Sequence, residues 1–588
     1  MPRYTAKYTD PRYTLNKDKW SQPEHSVKVE KDIRVTLRGG VTILADVYRP
    51  DVRAGIKFPA LLAMSPFGKD NQEMVRWLPR LRSFVSPLWD GNLEAGDIDY
   101  LVTRGYVFVV PDPRGIGHSE GEYVGMLGSM AEDSYDTIEW MAQQPWCDGN
   151  VGMTGICIFS ASQLLAAGIQ PPHLKTITPW ETWGNLYRNL VYPGGVLSVL
   201  QQSVYSGKMQ NDDGWTLGTI ASRTMKTRPL KEVELLFKKA LENPDIKYNP
   251  KYYALLKYPK KDPIFVDFLL NPNDGPIWDE MSPHTNFDKI KIPVYAAAPW
   301  GMELFTWSLF NCYESIPTAP RLFMWPPGMT DRPHHEYHDE LTRWFDFQLK
   351  GIDTGIKDEP PIKMFVIGAD KYRYEYEWPL ARTKWTEFYL HPNSSLLLEP
   401  VNTEYEPDGF TQPSLDVTPI VHSVEYKTPP FSEVTEITGP IALYLYASID
   451  TDDTNFMVDL MDVSPSGKEA VVSRGYLKAS FRGTDKSQSK PWRPYHPFKK
   501  PQPVTPGEIY EYQIEMMPTS YMIKPGDFLK LVIRNQDNLM SQFGMWGNYH
   551  LPMHKTVSHK VYFDKYHPSH LVLPFITSTD KSQWIKEE

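Results

Sequence analysis

Cys157 stands where the sequence could build a nucleophile. In Gly152-Met153-Thr154-Gly155-Ile156-Cys157-Ile158-Phe159-Ser160 a short strand runs through a glycine into a tight turn and then a helix. That is the setting of a nucleophile elbow, whose strained turn lifts the central side chain above a sheet. The start of the helix stabilises negative charge there. The backbone N–H of Ile158 can hold an oxyanion. A thiol at a helix N-terminus can have a lowered pKa, which raises its thiolate fraction. The chemistry this allows is attack on an ester, amide or thioester carbonyl. The same residues also fit a small cysteine packed under a cap, a common fate of a thiol.

An elbow needs a sheet beneath it. Ile33 to Tyr48, broken at Arg38-Gly39-Gly40, reads as a hairpin. Ala60 to Met64 and Tyr106 to Val110 are short, nearly continuous apolar runs, as expected of parallel strands buried on both faces. Residues 132–144 have helical spacing, and Leu174 to Pro179 and Ile292 to Ala298 read as later strands. Alternating β and α elements imply a doubly wound α/β sheet. Residues 200–285 interrupt the alternation with amphipathic helical stretches such as Leu230 to Leu241 and read as a cap. From about residue 360, short strands and Gly/Pro turns give an all-β signature. The chain therefore divides into an N-terminal extension (1–30), a first core segment (31–199), a helical cap insertion (200–285), a second core segment (286–360) and a C-terminal β-sandwich (361–588). The aromatic run Tyr372 to Trp378 is expected to seal the seam between domains.

Composition narrows the function class. A chain of 588 residues exceeds one hydrophobic core, so two or three domains are expected. Net charge is −10, with no basic block, which argues against nucleic-acid binding. Three cysteines, Cys147, Cys157 and Cys312, make neither a disulfide framework nor a zinc site. No apolar run reaches the roughly 18 residues of a membrane span, and no signal-like segment opens the chain, so a cytoplasmic location is expected. No cofactor and no metal are expected, the partner is a small-molecule substrate, and homo-oligomerisation is left open.

Further motifs surround the elbow: Val110-Pro111-Asp112-Pro113-Arg114-Gly115-Ile116-Gly117-His118-Ser119-Glu120-Gly121, Pro145-Trp146-Cys147-Asp148-Gly149-Asn150, Pro171-Pro172-His173 with Pro179-Trp180, and Phe345-Asp346 to Leu349-Lys350-Gly351. Together with Thr438-Gly439-Pro440, Thr505-Pro506-Gly507-Glu508 and Lys524-Pro525-Gly526-Asp527, they resemble the signature segments of the cocaine-esterase / X-prolyl dipeptidyl aminopeptidase family in consistent order over roughly residues 30–575. The resemblance implies an α/β-hydrolase fold with a helical cap and a C-terminal jelly-roll domain. It also implies a Ser-Asp-His triad and an oxyanion tyrosine, and this chain departs at each. Cys157 takes the serine position. Phe67, in Ser65-Pro66-Phe67-Gly68, takes the tyrosine position and cannot donate a hydrogen bond. Met302 takes the acid position, with Glu303 beside it. No histidine stands near Met329; His334, His335 and His338 follow some residues later, and His118 reads as a turn residue.

Two enzymatic readings follow. In the first, Cys157 is the nucleophile of an acyl hydrolase or transferase, His334 or His335 the base, Glu303 its orienting acid and the Ile158 N–H the oxyanion donor. Aminopeptidase activity is a branch of that reading. In the second, a cyclase, isomerase or lyase, such as one of secondary metabolism, uses the retired hydrolase scaffold. In both, Phe67, Trp180, Glu181, Trp300 and Met302 line a pocket for a largely apolar molecule. A catalytically inert binding protein is the third class. Solvated carboxylates and histidines in loops, and core packing for Trp180, are the alternative readings of those residues.

Overall fold

The computed structural model describes residues 19–70, 94–124, 127–198, 229–249, 253, 264–328, 337–414, 417–537, 550–577 and 584–585. The expectations for the first 18 residues, for much of the cap insertion, and for His334 and His335 lie outside them.

Strands β1 (Val27–Thr36) and β2 (Thr42–Pro50) form the expected antiparallel hairpin around the turn Arg38–Gly40. Strands β3 (Phe58–Leu62), β4 (Val107–Pro111), β5 (Cys147–Met153) and β6 (Leu174–Ile177) follow, then β7 (Tyr295–Pro299), β8 (Arg321–Trp325), β9 (Ile362–Val366) and β10 (Lys371–Glu375). The first six run in the order β1-β2-β4-β3-β5-β6 and the last four in the order β7-β8-β9-β10. Parallel pairings Ile177 to Val294 and Trp180 to Ala297 join the two sets edge to edge. From β3 the winding proceeds to β4 on one side and to β5 and β6 on the other, so the sheet is doubly wound. The apolar runs explain this: every residue of β4 is buried, as a parallel strand covered on both faces requires.

Helices α1 (Ile98–Val102), α2 (Met130–Ala142) and α3 (Ile158–Gly168) connect the first half. Among the described cap residues are α4 (Leu230–Ala240), α5 (Pro244–Lys247), α6 (Ile264–Leu270) and α7 (Pro276–Glu280). Helices α8 (Glu303–Ser315) and α9 (His338–Lys350) complete the core. Helix α9 crosses β5 so closely that a methyl group on Gly152 would stand 3.1 Å from a Leu349 methyl.

The C-terminal domain is β-rich. Its strand Thr435–Ile449 pairs with Tyr510–Ile523, Val557–Tyr562 and His570–Ile576. From Tyr510–Ile523 the pairings continue through six more strands and return to His570–Ile576, so the ring of strands closes on itself. Closure removes exposed edges that would otherwise recruit other strands.

The two domains are tied together by backbone and by charge. Ile367, just past β9, exchanges backbone hydrogen bonds with Ser520 and Met522. Trp378 stacks on Phe310 of α8 with ring centroids 4.1 Å apart. At Gly194 (φ 61°) a methyl group would stand 2.1 Å from the carbonyl oxygen of Tyr476, so only glycine fits this approach. The Arg373 guanidinium donates to both carboxylate oxygens of Glu436 at 2.9 and 2.6 Å, with both side chains about 1% exposed.

The turn that carries Phe67 is held from behind. Lys69 donates its backbone N–H to Asp112 Oδ1 at 2.7 Å, and its ammonium lies 2.9 Å from Asp32 and 3.3 Å from Asp46. Burial pushes the Asp112 carboxyl up to about 7, against the pull of Lys69.

Two predictions follow from these ties. Arg373→Met leaves the Glu436 carboxylate buried without its fork, at a cost of about 3–5 kcal/mol by chemical denaturation; adding Glu436→Leu recovers most of the loss. For Asp112, the folded chain holds a proton that the unfolded chain releases near 3.8. Its stability contribution is therefore present at acid pH and is lost as pH rises from about 4 towards about 7, on the order of 4 kcal/mol. Asp112→Asn keeps the acceptor for Lys69, and denaturation midpoints measured from pH 4 to 8 should lose that component of their slope.

Candidate active site

The elbow is built from the backbone outward. After β5, Gly155 (φ 108°) allows a close approach: a methyl group there would meet Phe159 Cβ at 2.7 Å and the Glu94 carbonyl oxygen at 3.2 Å. Cys157 then adopts φ 57°, ψ −120° as the residue preceding α3. For a residue with a side chain this region costs roughly 1–3 kcal/mol and persists only where surrounding contacts enforce it. Those contacts are present. Ile156 donates its N–H to Glu94 O at 3.0 Å, and Cys157 donates its own to Trp180 O at 3.2 Å. Ser160 Oγ donates to Cys157 O at 2.6 Å and in turn accepts the Trp183 N–H at 3.1 Å. The Gln163 side chain donates to Gly155 O and accepts from Thr178 N–H, both at 2.8 Å, stapling the turn to the end of β6.

The result is a half-buried thiol at the head of an eleven-residue helix. The Ile158 N–H lies in the first turn, where a helix offers no carbonyl four residues back, and the partial positive charge of the helix end adds to it. Cys147 and Cys312 are fully enclosed, and burial pushes both thiols up, Cys147 to about 11. Among the three, the thiol with exposed surface is Cys157.

The expected wall residues are less uniform. Phe67 is 9% exposed, in a turn where its N–H donates to Ser65 Oγ at 3.2 Å. Its ring has no hydroxyl to offer an oxyanion. Trp180 is 1% exposed, with the rings of Tyr295, Phe323, Trp325 and Tyr337 around it at 5.9–6.3 Å. Trp300 is also 1% exposed; its indole N–H donates to Phe365 O at 2.7 Å and its ring lies against Phe310 and Trp378. Both tryptophans are packed among other rings, with little ring surface left for a ligand. Glu181 is fully buried at φ 48°, and its carbonyl accepts from Ser160 Oγ at 3.2 Å. Met302 is the partly buried residue that precedes α8.

Glu303 departs from its expected role. Its carboxylate accepts from Tyr476 OH at 2.5 Å and lies 3.7 Å from the Arg474 guanidinium. Both partners belong to the β-rich domain. Burial raises the Glu303 carboxyl; Arg474, His550 and Tyr476 pull it back down. His338, at the start of α9, is 3.1 Å from Asp97 and lies against the Tyr100 ring. His118 is exposed. Sequence reading missed Ser160, Gln163, Tyr476 and Arg474. The first two sit three and six positions after Cys157 on one helix, a spacing that places them beside the turn they hold.

Comparison with known proteins agrees with this architecture. Residues 39–328 match the family model of the X-Pro dipeptidyl-peptidase (S15 family), and residues 354–572 match that of the X-Pro dipeptidyl-peptidase C-terminal non-catalytic domain. The chain is 27% identical to a cocaine esterase from Rhodococcus sp. (strain MB1 Bresler) over 93% of its own length and 98% of that enzyme's. It is 21% identical to an Xaa-Pro dipeptidyl-peptidase of Lactobacillus helveticus, over 76% of this chain and 61% of the other. The crystal structure of a CocE/NonD family hydrolase from Staphylococcus aureus superposes with a TM-score of 0.73 at 22% identity, covering 93% of each chain. With the elbow in place and both family models matched in order, the chain is a hydrolase of the X-Pro dipeptidyl-peptidase S15 family, with that family's C-terminal domain.

Proposed function

We propose that this hydrolase cleaves, or transfers acyl groups from, activated esters and thioesters of small apolar acids, with Cys157 as nucleophile. The observation that carries the reading is the backbone of Cys157, held at φ 57°, ψ −120° at the head of α3. In this reading the Cys157 thiolate attacks the carbonyl carbon and the oxyanion is met by the Ile158 N–H. The C–O or C–S bond to the leaving group then breaks, and the leaving group takes a proton from His334 or His335. Water, or an acceptor hydroxyl or thiol, attacks the acyl-cysteine and returns the thiol.

Two departures favour an activated acyl group over an amide. A phenyl ring at Phe67 removes one oxyanion donor, worth roughly 3–4 kcal/mol in acyl transfer. Met302 supplies no carboxylate to support an imidazolium, and Glu303 is engaged with Tyr476 and Arg474. An amide nitrogen must be protonated to leave, whereas a thiolate or a stabilised alkoxide need not be. A thiolate nucleophile also needs less help from a base than a hydroxyl does. The similarity to cocaine esterase across nearly the whole chain supports an ester over a peptide. Phe67 and Met302 favour an apolar acyl group. The alternative, a cyclase, isomerase or lyase on the same scaffold, draws its support from the diversion of Glu303 into the domain seam.

The readings separate on p-nitrophenyl butyrate and butyryl thioesters. Cys157→Ala should abolish turnover, and intact-mass spectrometry should show a butyryl adduct that forms and clears in the wild type alone. Wild-type rates in Cys157→Ala would overturn the proposal, and absence of any adduct would favour the non-hydrolytic reading. Phe67→Tyr restores a hydroxyl donor and should raise kcat by about tenfold or more in steady-state assays.

A further inference from the structure

Seven side chains from both domains converge on the start of α8. Glu303 contributes a carboxylate from the core. The strand Glu469–Lys478 contributes Arg474 and Tyr476, and the strand Asn455–Val463 contributes Asp459. Arg534 ends the strand Phe528–Arg534, which pairs with Asn455–Val463, and Asp537 and His550 come from the chain beyond it. Arg474 Nε is 3.4 Å from Asp459, and Arg534 is 2.6 Å from the other oxygen of Asp459. His550 donates its backbone N–H to Asp537 at 2.6 Å, and its Nδ1 lies 3.1 Å from the same oxygen. The His550 ring packs on the Tyr476 ring at 4.1 Å. The charged side chains are at most 11% exposed. Three carboxylates, those of Glu303, Asp459 and Asp537, face the two guanidinium groups of Arg474 and Arg534. Glu303 Oε2 and His550 Nε2 are both enclosed without a hydrogen-bond partner among the described residues.

This cluster reaches the active site through a short lever. Trp180 pairs with Ile156 on one side and with Ala297 on the other. The end of β7 therefore lies two strand spacings, about 10 Å, from the elbow. The turn from Pro299 to Glu303 is closed by Thr306, whose N–H donates to Met302 O at 2.8 Å and whose Oγ1 donates to Pro299 O at 2.9 Å. Its far end is gripped by the β-rich domain at Glu303.

We propose that the β-rich domain is a working part of the active centre: Tyr476, Arg474 and the Asp537–His550 pair hold Glu303 as a positioning residue, and through it set the turn Trp300–Met302 beside Cys157. The catalytic consequence rests on Cys157 as the reacting centre; the placement of the turn does not. The full chain, with labelled methionine methyls and the Met302 signal assigned by Met302→Leu, reads the placement directly. Tyr476→Phe removes one hydroxyl, and Glu303→Gln keeps the shape while removing the charge. In both, the Met302 resonance should move, kcat on p-nitrophenyl butyrate should fall about tenfold with KM nearly constant, and the rate of Cys157 alkylation by iodoacetamide should hold. An unmoved Met302 signal in both variants overturns the proposal whatever Cys157 does. So does a loss of kcat that simply follows a lowered melting temperature. Undiminished turnover in Cys157→Ala instead refutes the nucleophile and leaves the Met302 result standing.

Discussion

A single residue with a side chain, held in a backbone region that side chains avoid, organises the core of this protein. Cys157 cannot relax to a helical or extended conformation while its N–H is bound by Trp180 and its carbonyl by Ser160. Each tether depends on another. Trp180 stays in place because four aromatic rings enclose it. The Ser160 hydroxyl lies within reach of the Cys157 and Glu181 carbonyls, and Gly155 leaves room for Phe159 Cβ against the turn. The sheet order then matters for a plain reason: β5 needs β6 beside it so that Trp180 arrives at the level of the turn. The strain at Cys157 is offset across the whole upper edge of the sheet.

The domain seam obeys a different logic. The sheet core is apolar and tolerant of small changes in volume. The seam is paved with paired charges, including Arg373 with Glu436 and Glu303 with Arg474 and Tyr476. Pairs of this kind add little net stability, because desolvation consumes much of their attraction, but a misaligned arrangement leaves a buried charge alone. A charged seam therefore penalises a misaligned docking angle. Where a turn of the core is held from the neighbouring domain, as at Glu303, an accurate angle matters more than adhesion.

Much of the core was legible in the sequence. β3 and β4 announce themselves as short apolar runs, and the hairpin at Arg38–Gly40 by its glycines. The elbow is legible because it is local: strand, glycine, turn and helix lie within nine consecutive residues. The direction of Glu303 was not. A carboxylate at the first position of a helix looks the same whether it turns to a histidine or to a tyrosine 173 residues later in the chain, and no periodicity encodes the choice. Trp180 read equally well as pocket wall or core, and the answer came from rings contributed by β7, β8 and the start of α9. Asp112 stood in the sequence only as part of a motif, because its bond to Lys69 joins two loops that are distant in sequence.

Gly194 carries a last consequence. Its backbone lies so close to the carbonyl of Tyr476 that no side chain fits between them. The chain segment entering the cap and the strand that carries Tyr476 and Arg474 therefore touch main chain to main chain. A side chain can be trimmed or repacked when its neighbour changes; a carbonyl cannot. The two domains are thus not interchangeable modules. Inheritance, recombination or grafting must transmit them as one matched piece, with the glycine as the keyhole that accepts only its own strand.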